Sequence, residues 1–248
     1  SLARKNVIVV SSKLAVIQMN LHKKNGFIER LHIGPNIEFG FFIKSFPYVS
    51  GIIVPSKPSA SIIKSANYEN YKKTIIWPAG VDQEYWKDNN STLIKEDLLI
   101  YYKPEKGSLP EKKNIEKKLS DLNLKIKYID YGFYFLEEYK QALKNCKFML
   151  FLTRDETQGL AFFEAWSMNV FTYAWDYKVK TNEGLDYEGC VCPYMNKSLG
   201  KYVSSYSSLI KSIKNQDYLS DDVAPRKWIL KNGTDKVCVS KLINLISK

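Results

Sequence analysis

Cysteine, histidine and long apolar runs are scarce in this sequence, and each scarcity excludes a class of protein. Four cysteines occur in 248 residues, two of them close together as Cys190-Val191-Cys192, which predicts neither a disulfide framework nor a four-ligand zinc site. No apolar run approaches the ~20 residues that span a bilayer. The first residues lead only into a short apolar run that ends before Ser11. We therefore expect no secretory signal, no membrane anchor and a reducing, cytoplasmic location.

The remaining composition is typical of a folded globular protein. Hydrophobic residues make up 45% of the chain and charged residues 25%, close to the averages of globular domains, which argues against a disordered, collagen-like or coiled-coil chain. The length is enough for one large domain or two small ones.

Positive charge is concentrated in the first third of the chain. The net charge is +11, and residues 1–74 contain eleven basic against three acidic residues, a net charge of +8. Such an excess favours an anionic partner, such as an acidic glycan, a lipid phosphate or a membrane surface. Solubility alone is the other explanation, because the basic residues are scattered singly. Basic and aromatic residues do not alternate in a nucleic-acid-binding signature, so we expect no nucleic acid partner.

Between residues 75 and 175, short apolar runs alternate with longer amphipathic stretches, which predicts βαβ units in a doubly wound parallel sheet. The predicted strands are residues 97–102, 124–130, 148–152 and 170–175, and the predicted helices are residues 110–122, 134–144 and 160–168. Upstream we expect strands at 6–10 and 51–54 and a helix at 58–66, which together suggest a smaller α/β unit.

The chain after residue 176 predicts two further helical stretches, residues 199–214 and residues 225–248, the second broken at Asn232-Gly233. Pro78 and Gly80 interrupt the pattern between the two α/β parts. We therefore predict three parts: residues 1–76, 77–224 and 225–248.

One polar loop joins a buried strand to a helix and carries the strongest functional signal. Glu156 precedes the predicted helix, Gly159 stands at its start, and Glu164 lies about one and a half turns inside it. The first amides of a helix are unpaired donors with partial positive charge, so this turn favours a phosphate. A buried Glu164 needs a partner, and a ribose diol is a natural one. In the alternative interpretation, Glu156 only favours the helix start and Glu164 faces water.

Glu156 and Glu164, with Gly159 between them, resemble the E-x7-E signature of retaining nucleotide-sugar glycosyltransferases of the GT-B fold, especially glycosyltransferase family 4. A second segment, from Thr74 to Trp86, is similar to the interdomain stretch of that family, with its P-x-G-V-D sequence at Pro78 to Asp82. The resemblance covers about residues 50–248. It implies two Rossmann-like lobes, with a doubly wound parallel sheet in the C-terminal lobe and a reduced or truncated N-terminal lobe. The segment 225–248 would cross back to brace the N-terminal lobe.

The resemblance also implies a role for each site residue. Glu164 would hold the ribose hydroxyls, and the diphosphate would bind the amides of Gly159, Leu160 and Ala161. Glu156 would be a catalytic residue that contacts the donor sugar near the reacting carbon. The candidate catalytic cations follow the first strand of the donor domain. They are Lys103, which stands where the family usually has Arg, and Lys106. A cation there stabilises the charge that grows on the leaving diphosphate, although Lys lacks the bidentate fork of Arg.

Two further residues are candidates for donor binding. Phe133 lies in the loop where the family receives the base, and it could stack on a nucleobase or pack in the core. Arg154, next to Glu156, could line the donor sugar or pair with Asp155 at the surface.

The activity implied is that of a hexosyltransferase-type enzyme of glycan biosynthesis. It would move a sugar, with retention of configuration, from a UDP- or GDP-sugar to a glycan, a lipid-linked acceptor or another hydroxyl, and it could associate peripherally with a membrane. No cofactor or metal ion is expected, because the sequence has no Asp-x-Asp motif at a strand end. Two alternatives remain open: a non-catalytic GT-B-like nucleotide-sugar binding module, and a nucleotide-sugar epimerase on the same fold.

Overall fold

The computed structural model describes residues 7–35, 48–87, 96–104, 112–176 and 190–247. These residues divide into two compact units. Unit 1 contains the described residues up to Ala79 and those from Lys236 onward, and unit 2 contains those from Gly80 to Asp235. The predicted parts, 1–76, 77–224 and 225–248, stay a prediction about domain organisation. Within the described ranges, no helix has the length and apolar character needed to cross a membrane.

Unit 1 is built on a four-stranded parallel sheet in the order β1-β2-β3-β4. Its strands are β1 (Val7–Val10), β2 (Arg30–Ile33), β3 (Gly51–Val54) and β4 (Thr74–Ile76). Its connecting helices are α1 (Lys13–Lys24), α2 (Lys57–Ala66) and α3 (Tyr68–Lys72). Serine caps start two of these helices, because the Ser12 hydroxyl accepts from the Ala15 amide and the Ser56 hydroxyl from the Ser59 amide.

The end of the chain belongs to unit 1. Helix α9 (Asp235–Ile246) holds Cys238, which is fully buried. The Trp77 indole donates a 2.7 Å hydrogen bond to the Cys238 carbonyl, and the Arg30 guanidinium donates a 3.2 Å hydrogen bond to the Ser247 carbonyl. These bonds tie the last helix to residues of the first 80.

Unit 2 contains a five-stranded parallel sheet in the order β6-β5-β7-β8-β9. Its strands are β5 (Glu96–Tyr102), β6 (Ile126–Asp130), β7 (Cys146–Leu152), β8 (Phe171–Trp175) and β9 (Gly200–Val203). Its helices are α4 (Lys112–Leu119), α5 (Leu136–Asn145), α6 (Leu160–Ser167), α7 (Tyr206–Lys214) and α8 (Pro225–Asn232).

Both faces of this sheet are covered, as predicted for a doubly wound fold. Alternate residues of β5 enter two separate apolar clusters: Leu99 and Tyr101 pack with residues of α5, α6 and α8, and Leu98 and Ile100 pack with residues of α4 and α7. Strands buried on both faces are rich in apolar residues without alternation, which is why residues 148–152 are recognisable in the sequence.

The prediction of a single helix over residues 199–214 is wrong at its start. Leu199 and Val203 are both buried and four residues apart, a spacing that fits a helix. Residues 200–203 instead form β9, which pairs with β8 along its whole length. The helix begins only at Tyr206, where the Ser205 hydroxyl caps it by accepting from the Ser208 amide. Sheet pairing overrides the local pattern here.

Aromatic packing holds α6 against the sheet. The Phe162 ring stacks on Phe151 of β7 with centroids 3.6 Å apart, and the Trp166 indole donates a 2.9 Å hydrogen bond to the Thr172 hydroxyl of β8. All of these side chains are buried. The position of the first turn of α6 therefore depends on this layer.

Truncation of this layer tests its contribution to stability. We expect Phe162→Ala to lower the free energy of unfolding by about 3–5 kcal/mol, because it removes a buried ring and leaves a cavity. The matched control is Phe133→Ala, since Phe133 is 88% exposed whereas Phe162 is 1% exposed, and we expect a change within about 0.5 kcal/mol. Urea titrations followed by circular dichroism give both values, and equal effects of the two substitutions would contradict the packing.

Candidate functional site

The winding of the unit 2 sheet reverses between two neighbouring strands. The chain leaves β5 for β6 on one side and then returns to form β7 on the other side of β5. In open α/β sheets, ligands bind outside the carboxyl ends of the strands at such a switch point. The Lys103 amide, directly after β5, donates a 2.9 Å hydrogen bond to the carbonyl of Leu152, the last residue of β7. The segments that follow the two strands therefore start side by side.

An ion pair occupies this switch point. The Lys103 ammonium lies 2.9 Å from Oε1 of Glu156, and the Thr153 hydroxyl donates a 3.1 Å hydrogen bond to the same oxygen. The side chains of Lys103 and Glu156 are only 19% and 16% exposed. The Lys103 ammonium also lies 4.7 Å from the ring centroid of Tyr131, a cation–π distance. The structure thus brings together two of the three predicted catalytic residues.

Burial and charge act on Glu156 in opposite directions. Burial raises the pKa of the Glu156 carboxyl above its usual value, and the Lys103 ammonium and the Thr153 hydroxyl reduce this rise. The backbone of this loop is held as well, because the Glu156 amide donates a 2.9 Å hydrogen bond to the Cys190 carbonyl and the Asp155 carboxylate accepts one from the Cys190 amide. Glu156 is therefore a fixed group with a cation beside it.

The first turn of α6 follows this loop. Gly159 is the N-terminal cap residue, with a φ of +76° and no side-chain capping bond. A Cβ at this position would lie 2.7 Å from the Phe162 ring, so both the conformation and the space favour glycine. The Phe162 amide donates to the Gly159 carbonyl, whereas the first amides of a helix have no partner within it. The amides of Leu160 and Ala161 therefore have no hydrogen-bond partner within the helix.

Glu164 lies on the same helix as a mostly buried carboxyl group. Burial raises the pKa of Glu164 to about 7. Among the described residues, no hydrogen bond or ion pair reaches its carboxylate. A buried carboxyl group without a partner is costly, so an external ligand with hydroxyl or amide donors would relieve this cost.

A tyrosine cluster that we did not predict as part of the site lies close to both glutamates. The Tyr101 and Tyr134 hydroxyls are 3.2 Å apart, and the Tyr139 hydroxyl donates a 2.8 Å hydrogen bond to the Ala161 carbonyl in the first turn of α6. Burial raises the pKa of Tyr101 and of Tyr134, and the charges of Glu156 and Glu164 raise both further. These phenols are neutral hydrogen-bond donors at the edge of the site. The only signals in the sequence were the positions of Tyr101 near the end of a predicted strand and of Tyr134 at the start of a predicted helix, whereas Tyr139 lies inside α5.

The remaining predicted residues differ in how the structure places them. Arg154 is half-buried, and its Nε is a buried donor without a hydrogen-bond partner. Phe133 is 88% exposed, so it does not pack in the core. Its amide bonds the Asp130 carbonyl in the loop after β6. Lys106 lies outside the described residues.

The arrangement combines groups that suit a nucleoside diphosphate. It offers unpaired helix amides and the side chain of Arg154 to an anion, the carboxyl of Glu164 to hydroxyl donors, and the exposed ring of Phe133 to a flat base. Within the described ranges, no group of three or more His, Cys, Asp or Glu residues could hold a metal ion.

The sequence matches no protein-family model and no curated protein, but the fold is similar to those of solved glycosyltransferases. A glycosyltransferase from Rickettsia africae ESF-5 has a TM-score of 0.63 at 12% identity, over 97% of this chain and 76% of that one. HepE from Anabaena, solved with UDP and glucose, has a TM-score of 0.65 at 12% identity, over 98% and 78% of the two chains.

A third solved structure is the lipopolysaccharide outer core galactosyltransferase WaaB. It has a TM-score of 0.63 at 11% identity, over 97% of this chain and 74% of that one. At such identities the similarity establishes the fold alone. The chain has the α/β architecture of the GT-B glycosyltransferases, which confirms the predicted fold class.

Proposed function

We propose that this protein is a glycosyltransferase of the hexosyltransferase type, and that its donor is a nucleoside diphosphate sugar. The observation that carries the proposal is the placement of Glu156 and Glu164 around the first turn of α6, at the switch point of the sheet, with Lys103 paired to Glu156. The HepE structures with UDP and glucose and with UDP-glucose support a UDP-sugar as the donor, with a GDP-sugar as the other choice.

Each predicted residue has a role in donor binding. Glu164 accepts hydrogen bonds from the ribose hydroxyls, which gives the buried carboxylate the partner it lacks. The amides of Gly159, Leu160 and Ala161 bind the diphosphate. Arg154, next to Glu156, donates to the same anion or to the sugar, and Phe133 stacks on the base.

Sugar transfer requires stabilisation of the leaving diphosphate. Lys103, together with Lys106, neutralises the charge that develops on it in the transition state, so the chemistry uses side-chain cations rather than a metal ion. Glu156 contacts the donor sugar near the reacting carbon, where its position is fixed by Lys103 and Thr153.

We further propose that the configuration of the sugar is retained, as in glycosyltransferase family 4. Attack by the acceptor hydroxyl on the face that the diphosphate leaves depends on positioning and leaving-group stabilisation more than on a strong protein base. The acceptor is a hydroxyl of a glycan or of a lipid-linked sugar. No disulfide joins any of the four cysteines, which supports a reducing, cytoplasmic setting for the reaction.

A donor panel tests the function directly. The protein is incubated with UDP- and GDP-sugars, with and without hydroxyl acceptors, and released nucleotide and sugar products are measured. Nucleotide release that depends on the acceptor supports transfer. Interconversion of the sugar indicates an epimerase, binding without turnover indicates a binding module, and the absence of binding to every donor contradicts the proposal.

Glu164→Gln tests the ribose contact. We expect the affinity for UDP, measured by calorimetry, to fall about 10- to 100-fold, because the charged acceptor of hydroxyl hydrogen bonds is lost. Glu116→Gln on the exposed side of α4 is the control, and its affinity should stay at the wild-type value. An unchanged affinity for Glu164→Gln would count against this assignment.

The ionisation of Glu164 predicts a pH dependence of donor binding. Because its pKa is about 7, the carboxylate that accepts from the ribose is mostly protonated at pH ~6 and mostly ionised at pH ~8, so the affinity for UDP-glucose should rise about tenfold over this interval. The diphosphate of this ligand is esterified at both ends and stays ionised throughout. Calorimetry on Glu164→Gln should give a flat profile, and a flat profile for the wild type would refute the role of Glu164.

The Lys103–Glu156 pair predicts coupled effects on turnover. We expect Glu156→Gln and Lys103→Met each to lower kcat by about 100-fold. Lys103→Met should also weaken UDP binding, because UDP carries the full charge of the leaving diphosphate, whereas Glu156→Gln should change UDP affinity little. The double variant should be much less impaired than the product of the two single effects, because both act on one ion pair. The control is Lys201→Met. It removes an ion pair between Lys201 of β9 and Asp217. Independent, multiplicative effects would contradict the coupling.

A further inference from the structure

Tyr131 is the first residue after β6, and the proposed chemistry leaves it without a role. Its amide donates a 2.9 Å hydrogen bond to the carbonyl of Tyr102, the last residue of β5. Its ring packs against the buried ring of Tyr101, with centroids 6.3 Å apart. Both the backbone and the ring of Tyr131 therefore lie against the end of β5, directly before Lys103.

The Lys103 ammonium contacts two groups of opposite chemical character. It lies 2.9 Å from Oε1 of Glu156 and 4.7 Å from the centroid of the Tyr131 ring. The Lys103 side chain is only 19% exposed. A cation–π contact is stronger when the cation is shielded from water, so the ring of Tyr131 contributes more to holding this ammonium than it would at an open surface.

A second lysine of the chain has the same kinds of partner without the burial. The Lys72 ammonium lies 2.8 Å from the Glu69 carboxylate and 5.2 Å from the centroid of the Tyr68 ring. The Lys72 side chain is 55% exposed. Tyr68 and Tyr131 are 56% and 51% exposed, so the two rings are closely matched. They differ in the lysine that each one holds, which makes Tyr68 a control for Tyr131.

An aromatic ring suits the task proposed for Lys103. A carboxylate holds an ammonium strongly, but its negative charge also offsets the positive charge that a diphosphate would meet. A tyrosine ring attracts a cation through its electron-rich face and carries no net charge. Lysine ends in a point charge on a flexible stem, so it needs neighbours to fix its position. Tyr131 can therefore hold Lys103 without competing with a bound diphosphate.

We propose that Tyr131 is a positioning residue of the sugar transfer. Its ring keeps the Lys103 ammonium at the switch point while the ammonium turns from Glu156 to the leaving diphosphate. This inference rests on the proposed function, because it requires a diphosphate leaving group. The ring is the acting part, since the Tyr131 hydroxyl makes no hydrogen bond within the described ranges. Lys103 contacts the substrate, and Tyr131 acts through Lys103.

A substitution series at position 131 tests the ring. The value of kcat is measured with the UDP- or GDP-sugar that the wild type turns over in the donor panel. Tyr131→Leu should lower kcat about tenfold, whereas Tyr131→Phe, which retains the ring face, should stay within about twofold of the wild type. Tyr131→pentafluorophenylalanine keeps the shape of the phenyl ring but makes its face electron-poor, so kcat should fall as in Tyr131→Leu. Equal kcat for the two phenylalanine forms would overturn the proposal, because packing against Tyr101 alone predicts that result.

A double variant tests whether Tyr131 acts through Lys103. Tyr131→Leu combined with Lys103→Met should lower kcat less than about twofold below Lys103→Met alone, because no ammonium is left to hold. Calorimetry with UDP should show a weaker affinity for Tyr131→Leu than for the wild type, with a smaller loss than for Lys103→Met. A further tenfold loss of kcat in the double variant would contradict the positioning role.

The control variant separates this inference from the proposed function. Tyr68→Leu should have the kcat and the UDP affinity of the wild type, and circular dichroism verifies that every variant is folded. If the wild type transfers sugar and Tyr131→Leu is unimpaired, or is impaired no more than Tyr68→Leu, the role of Tyr131 is refuted and the proposed function stands. If the wild type itself turns over no donor, both are refuted.

Discussion

The reversal of winding between β5 and β7 is the constraint on which the candidate site depends. Two neighbouring parallel strands end side by side, but the chain leaves them for opposite sides of the sheet. Open α/β sheets bind their ligands at such a point. Lys103 follows β5 and Glu156 lies in the loop after β7, so residues 53 positions apart in sequence form one ion pair at this point.

Burial then gives the site its chemical character. Phe151, Phe162 and Trp166 form an aromatic layer that packs α6 against the sheet. This packing places Glu164 in a poorly hydrated position, and burial raises the pKa of Glu164 to about 7. Glu156, equally enclosed, has Lys103 and Thr153 as partners. The two carboxyl groups of one short segment therefore differ in environment. Glu156 is paired within the protein, and Glu164 is left for a ligand.

The sequence predicted the central strand and helix of the unit 2 sheet well, but it predicted strand β9 and helix α1 poorly. Residues 148–152 and 160–168 were recognisable because β7 is apolar throughout and Gly159 marks the turn before α6. The contact between Tyr101 and Tyr134 was not predictable, since it depends on the pairing of β5 with β6. Strand β9 was mistaken for helix because buried Leu199, directly before the strand, and buried Val203 at its end are four residues apart. Helix α1 escaped prediction because Ile17 and Leu21 lie on its exposed side and blur the apolar period.

The most direct measurement is a crystal structure of the protein with UDP. The account predicts that the ribose hydroxyls lie within hydrogen-bond distance of the Glu164 carboxylate, and that the diphosphate lies on the amides of the first turn of α6, near Lys103. A nucleotide bound elsewhere on the protein, or one whose ribose faces away from Glu164, would contradict it.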